Sequence, residues 1–327
     1  MNELFNSDDL LREVVRVPGP GTGTTLQLLH RSRRDAGIAS SPRTIMLMHG
    51  ATFSSASLFD VPLEGQSFMD VLARAGFDVW AVDVRGYGSS SRPAAFREAA
   101  DANPPQTPAI VAEQDLAAAI DAVCARQAIG GLNLLGMSWG GSVAGRYASR
   151  HPERVEKLVL VAPLWLSEQP LRIDQGGPLL AWRDVSLHGA RDAWLADAPK
   201  AARHDLLPDD GFEQWLEVTR ASDTDVNSAA TVRAPGGAIA DIRNHWHAGK
   251  PLYDPGDITS PTLIVHAEWD RDVRIDMMQN LFSQLEHARY RRWLEIGGGT
   301  HRILLERQRE QAFDAITGFL AEERNTQ

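Results

Sequence analysis

The chain opens with two stretches of mixed apolar and polar character, "REVVRV" (12–17) and "TTLQLLHR" (24–31). They flank "PGPGTG", whose glycines and prolines predict a turn, so the pair predicts a hairpin. A different rhythm then sets in. Short, largely apolar runs occur at "RTIMLMHG" (43–50), "DVWAVD" (78–83), "LNLLG" (132–136), "EKLVLVAP" (156–163) and "PTLIVHA" (261–267), with a more polar strand-like run at "YRRWLEI" (290–296). Segments of helical spacing separate them, at 67–76, 111–127, 142–150, 274–286 and about 302–322. Leu116, Ile120 and Val123, for example, share one face of the second helix. Strands that are apolar throughout are buried on both faces. Strands that alternate with helices build a mostly parallel sheet with helices on both sides. The fold class is therefore α/β.

The alternation breaks between 164 and 258. That stretch holds five of the nine tryptophans, Trp165, Trp182, Trp194, Trp215 and Trp246, and is punctuated by Gly-Pro and Pro-Gly. It reads as a mainly helical module inserted into a core formed by 1–163 and 259–327. Most of its tryptophans are expected to build the module's own core. Trp165, Trp246 and His245 are the candidates for lining a substrate pocket beneath it.

Ligands of such sheets bind beyond the carboxyl ends of the strands, so the residues just after each run carry the chemical signal. After "LNLLG" comes Ser138 in "GMSWGGS" (136–142), between a strand and a helix. A tight turn there projects the serine hydroxyl, and small residues on either side let helix and strand approach. After the first parallel run come His49, Gly50 and Ala51. The Ala51 and Trp139 N–H groups are candidates for holding a developing oxyanion, and His49 is read as a brace of its loop. After "PTLIVHA" come Asp270 and Asp272, and after "YRRWLEI" comes "GGGTH", ending in His301. A serine hydroxyl needs an adjacent base. Histidine supplies one near neutral pH, and a carboxylate orients it. With an ordinary histidine pKa, activity is expected to fall below roughly pH 6–7.

In "MHGA" (48–51), "DVRGYGSSSRP" (83–93), "GMSWGG" (136–141), "HAEWD" (266–270) and "GGGTH" (297–301) the chain resembles the α/β-hydrolase superfamily, in the order Ser…Asp…His. The resemblance implies a catalytic triad of Ser138, Asp270 and His301 under a cap. It favours Asp270 over Asp272, although Ala267 stands where the family commonly has Gly. It also implies structural roles for Asp83 and Arg85. A serine rather than an aspartate at the elbow sets the chain apart from haloalkane dehalogenases and epoxide hydrolases. Its layout is similar to capped bacterial esterases and ring-cleavage-product hydrolases, with monoalkyl phthalate hydrolases as a possible relative. Three readings follow: hydrolysis of a small to medium apolar or aromatic carboxylic ester; carbon–carbon or lactone cleavage on the same triad; and a ligand-binding receptor on a hydrolase fold.

Composition narrows the partners. The 327 residues are 43% hydrophobic and 23% charged, with a formal net charge of -10. Acidity of that size argues against a nucleic-acid partner. The basic cluster "RSRRD" (31–35) is read as a solvated loop, and "RNHWHAGK" (243–250) as a solvated face. Cys124, the single cysteine, excludes an internal disulfide and is expected to be buried. His245 and His247 lack a third ligand nearby, so neither metal nor cofactor is expected. No leader is read in 1–15 and no membrane span anywhere, which gives a cytoplasmic expectation. A small-molecule ester is the expected partner, and the oligomeric state is open.

Overall fold

The computed structural model describes residues 9–37, 43–224 and 231–323; the first eight residues of the stretch read as lacking a leader lie outside these. Among the described residues are ten strands: β1 (Leu10–Pro18), β2 (Thr25–Arg33), β3 (Thr44–Met48), β4 (Asp78–Asp83), β5 (Leu132–Met137), β6 (Val155–Val161), β7 (Trp182–Ser186), β8 (Thr231–Pro235), β9 (Thr262–Ala267) and β10 (Arg291–Ile296). Nine α-helices accompany them among the described residues: α1 (Ser55–Phe59), α2 (Phe68–Arg74), α3 (Ala109–Gln127), α4 (Trp139–Arg150), α5 (Ala190–Leu195), α6 (Gly211–Ser222), α7 (Gly237–Asp241), α8 (Ile275–Gln284) and α9 (Arg309–Ala321). Eight strands form one sheet in the order β1-β2-β4-β3-β5-β6-β9-β10. The pairs from β4 to β10 are parallel, and β2 runs antiparallel to both neighbours.

The apolar runs became strands where both faces of the sheet are covered; β10, at the sheet edge, leaves Arg291 and Glu295 exposed. Met46, Met48, Trp80, Val82, Leu134, Leu158, Leu160 and Ile264 pack with α3, α4 and α8 on one side. Their alternating neighbours Ile45, Leu47, Val79, Ala81, Leu135, Val159, Val161 and Val265 pack with α2 and α9 on the other. Each such side chain contributes about 1.5–3 kcal/mol when removed from water. Cys124 is buried in the first of these cores. The last helix starts later than its spacing predicts, at Arg309, because a short 3₁₀ turn (Ile303–Leu305) follows His301. No helix among the described residues is long and apolar enough to cross a membrane.

The cluster at 31–35 is solvated only in its second part, where Arg33, Arg34 and Asp35 are exposed. Arg31, Ser32 and Arg33 belong to β2, and Arg31 is 5% exposed. Its guanidinium pairs with Asp60 and lies 3.2 Å from Asp70. Asp70 also closes a capping box with Ser67 at the start of α2. Arg31 thus neutralises acids far along the chain, which charge patterning alone does not reveal, whereas Arg33 pairs locally with Asp35.

Segment 164–258 leaves the sheet after β6 and returns at β9. Besides α5, α6 and α7 it carries an antiparallel pair, β7 with β8, that its sequence did not announce. Trp194 and Trp215 pack with Leu187, Phe212, Leu305, Val61 and Leu63 in a third apolar cluster. Trp165 and Trp246 instead join the main core.

Close approach dictates two glycines beside Ser138. A Cβ on Gly140 would stand 2.0 Å from the His49 carbonyl oxygen, and one on Gly136 would stand 2.3 Å from that of Gly140. A Cβ on Gly318, within α9, meets nothing within 4 Å. Gly140→Ala is expected to cost at least about 2 kcal/mol, whereas Gly318→Ala is expected to stabilise by about 0.5–1 kcal/mol. Urea unfolding of both variants checks this; equal effects would contradict the packing described.

Candidate active site

Ser138 occupies the step between β5 and α4 with φ 57° and ψ −124°. A non-glycine residue in so sparsely populated a region carries about 1–3 kcal/mol of strain. The contacts around it hold that strain. The Ser138 N–H donates to the Val161 carbonyl at 2.9 Å, and its carbonyl accepts from Leu164 N–H at 3.1 Å. The hydroxyl is thereby turned away from both layers of the core.

His301 follows β10 and the Gly297–Gly299 turn. Its Nε2 lies 3.0 Å from Ser138 Oγ, and its Nδ1 lies 2.8 Å from Asp270 Oδ2. The other Asp270 oxygen accepts N–H bonds from Asp272 at 2.9 Å and Val273 at 2.7 Å. Asp270, not Asp272, therefore faces the imidazole. In the neutral ring, Nδ1–H donates to Asp270 and leaves Nε2 to accept the serine proton. Burial pulls the imidazole's pKa down, but the charge and hydrogen bond of Asp270, joined by Asp272, outweigh it and lift it to about 9. This is above the ordinary range assumed from sequence, because two carboxylates favour the imidazolium.

The Ala51 loop after β3 is pinned from two sides. His49 Nδ1–H donates to the Gly50 carbonyl at 2.7 Å, and its Nε2 accepts the Val84 N–H at 3.3 Å. Burial drops the His49 pKa to about 4, so its ring is neutral. The Gly50 carbonyl shares a peptide plane with the Ala51 N–H, and fixing one fixes the other. Tyr87 Oη donates to the Ala51 carbonyl at 3.0 Å. On the far side, the Trp139 N–H opens α4, among the first-turn donors that a helix leaves unpaired. The Trp139 indole donates to Asp241 Oδ2 at 2.8 Å, an acid that also caps Ala109 N–H at 2.8 Å.

Ser138, His301, Gly50 and Ala51 open on a cavity of about 760 Å³. Leu58, Leu171, Leu180, Ile239 and Leu305 supply apolar walls, and Trp182 and Arg183 come from β7. Trp165, Trp246 and His245 do not line it. Trp165 is fully buried and donates its indole N–H to Asn280 at 2.8 Å. Trp246 is 1% exposed in the main core. Arg243 lies at the cavity wall but pairs with Asp174, so the basic stretch at 243–250 is not simply solvated.

A family model for the alpha/beta hydrolase fold matches residues 43–308. The chain belongs to this family. Asp83 and Arg85 hold structural places within this hydrolase core. Buried Asp83 accepts the Ser55 N–H at 2.8 Å, and Arg85 is paired with Asp115. Among curated proteins, the chain is similar to 1-acylglycerol-3-phosphate O-acyltransferase ABHD5. It is 34% identical to the Homo sapiens protein over 104 residues, which is 32% of this chain and 27% of that one. With the Rattus norvegicus protein it shares 29% over 171 residues, 52% of this chain and 42% of the relative. The alignments thus span less than half the length of these relatives. Among solved structures, the fold is similar to 2-hydroxy-6-oxo-6-phenylhexa-2,4-dienoate hydrolase from Rhodococcus sp. strain RHA1, with TM-score 0.60 and 18% identity, covering 95% of this chain and 100% of that one. It is equally similar to a thermophilic esterase from Thermogutta terrifontis, with TM-score 0.60 and 18% identity over 94% and 98% of the two chains. At those identities the likeness concerns the fold alone.

Sequence reasoning missed Tyr87, Arg183 and Asp241. Only an acidic or basic residue inside an otherwise apolar stretch hinted at the last two. The histidine geometry is directly measurable. By NMR the His301 imidazole is expected to titrate near 9, and Asp270→Asn is expected to drop it below the ordinary value of about 6.5, since burial then acts against one fewer carboxylate. A wild-type value at or below 6.5 would contradict the pairing.

Proposed function

We propose that the protein is a serine hydrolase of carboxylic esters of small to medium apolar or aromatic character, acting through an acyl-enzyme. The observation that carries this reading is the hydrogen-bonded series Asp270–His301–Ser138 opening on a largely apolar cavity. Ser138 Oγ attacks the ester carbonyl while His301 Nε2 takes its proton. The Ala51 and Trp139 N–H groups hold the oxyanion. Collapse of the tetrahedral adduct expels the alcohol, which receives the proton from His301. Water then gives a proton to His301 and attacks the acyl-enzyme, and as that adduct collapses to the acid His301 returns the proton to Ser138 Oγ. Every group that this sequence requires belongs to the chain itself.

Residues 164–258 act in this proposal as a cap over the Ser138 hydroxyl. Their side chains from 171 to 190 and from 236 to 243 form much of the cavity wall. Closing the site from water strengthens the hydrogen bonds to the oxyanion. The small-molecule partner is the ester.

A fluorophosphonate probe is expected to label Ser138, and Ser138→Ala to abolish labelling and lower kcat on p-nitrophenyl esters by about 10⁴-fold or more. Turnover of dienoates with none of esters would replace the ester reading with carbon–carbon cleavage, and an unlabelled wild-type protein would remove the nucleophile. Because only neutral imidazole accepts the serine proton, kcat/KM is expected to rise with pH through a limb above 6.5, toward the His301 value of about 9. Asp270→Asn is expected to lower the rate and move that limb to lower pH. A wild-type profile flat from pH 5 to 9 would exclude His301 as the base.

A further inference from the structure

Ala51 and Trp139, whose N–H groups are proposed to hold the oxyanion, lie on different elements of the core, yet the inserted segment grips both. From β7, Arg183 Nη2 donates to the Ala51 carbonyl at 3.3 Å and to Thr52 Oγ1 at 2.8 Å. At the end of α7, Asp241 Oδ2 accepts the Trp139 indole N–H at 2.8 Å. The same oxygen accepts the Ala109 N–H at 2.8 Å. Pro108, the residue before α3, gives that helix no side-chain cap, so Asp241 caps it from another element.

The two grips belong to one unit. β7 pairs with β8, and β8 runs through Gly236 straight into α7. The Gly236 N–H donates to the carbonyl of Ala181, the residue before β7, at 2.9 Å. Gln106 of the core closes the joint. Its N–H donates to the same Ala181 carbonyl at 3.1 Å, and its carbonyl accepts the Gly237 N–H at 2.7 Å. The fit there is tight, since a Cβ on Gly237 would stand 2.3 Å from the Thr107 carbonyl oxygen and the Pro108 nitrogen.

We infer that Arg183 and Asp241 are positioning residues, through which the β7–β8–α7 unit aims the two oxyanion donors. This role rests on the ester hydrolase reading and adds to it the residues that govern its transition-state stabilisation. Donors stabilise developing charge only if they are aimed before the reaction. The strain at Ser138 is relieved by turning the peptide that joins it to Trp139, and that peptide carries the Trp139 N–H. The indole bond to Asp241 anchors the far side of that peptide. At the other donor, Arg183 and Tyr87 share the Ala51 carbonyl, while His49 fixes the preceding peptide through the Gly50 carbonyl. Asp241 is 3% exposed and does not line the cavity, so it acts through Trp139 and not on the substrate.

The test combines kcat and KM on a p-nitrophenyl ester with inhibition by a trifluoromethyl ketone of the same acyl chain. Ser138 Oγ bonds to the ketone carbon, the ketone oxygen becomes an oxyanion and the hydroxyl proton passes to His301, so tight inhibition requires aimed donors. Asp241→Ala and Arg183→Met are each expected to lower kcat about tenfold and to weaken ketone inhibition about as much. For Asp241→Ala, KM is expected to stay within about twofold. Asp241→Asn keeps an acceptor and Arg183→Lys keeps a donor, and each is expected to recover part of the loss. The His301 titration near 9 is expected to be unchanged in all four. Trp139→Phe removes the indole donor with Asp241 in place. It is expected to match Asp241→Ala, and it decides the matter if Asp241→Ala does not fold. A fall in kcat with ketone inhibition unmoved, a change in KM alone, or a displaced His301 titration would overturn the positioning role. Wild-type kcat in both Asp241→Ala and Trp139→Phe would overturn it and leave the hydrolase reading standing. A wild-type protein that neither hydrolyses esters nor binds the ketone covalently would remove both.

Discussion

Ser138 is held at φ 57° and ψ −124°, and the surroundings that keep it there organise the rest of the site. The strain is of order 1–3 kcal/mol, and it persists because α4 packs directly on β3 and β5 with no room for side chains at Gly136 and Gly140. The same close packing places the first-turn N–H groups of α4 next to the end of β3, where Ala51 lies. A serine hydroxyl, a helix N-terminus and a strand-end amide are brought together by one steric requirement. A looser helix would relax the serine and separate these groups.

Electrostatics refine what packing assembles. Asp270 spreads its charge over His301 and the N–H groups of Asp272 and Val273, so a fully buried side chain stays hydrogen-bonded on both oxygens. Buried His49 is neutral and acts as a hydrogen-bond bridge from Gly50 to Val84. Asp241, at the end of α7, is pushed up to about 6 by burial and ties the inserted segment to the Trp139 indole. Through that bond, the residue beside the serine is steadied by a helix more than a hundred positions away.

Much of the core and of the Ser138 constellation was legible in the sequence. Short apolar runs such as "TIMLM", alternating with helical segments, read as strands buried on both faces, and residues just past such strands fall on one edge of the sheet. That is why Ser138, Asp270 and His301 could be named together. The errors share one origin. Arg31 was read as solvated because its partners, Asp60 and Asp70, lie on other elements. Trp165 and Trp246 were expected at the pocket because a tryptophan's size does not say which surface it covers. The β7–β8 pair was missed because two five-residue strands with half-exposed faces leave almost no apolar pattern.

The sequence by itself determined the layered α/β core and the order of chemical groups along one sheet edge. Both follow from local apolar periodicity and from turn residues adjacent to it. Tertiary structure alone decided which carboxylate meets His301 and what lines the cavity. Those outcomes depend on contacts such as Arg183 with Ala51 and Trp139 with Asp241, separated by 132 and 102 positions. Side chains so far apart meet only after the core has packed, and nothing in the pattern around either residue records the identity of the other.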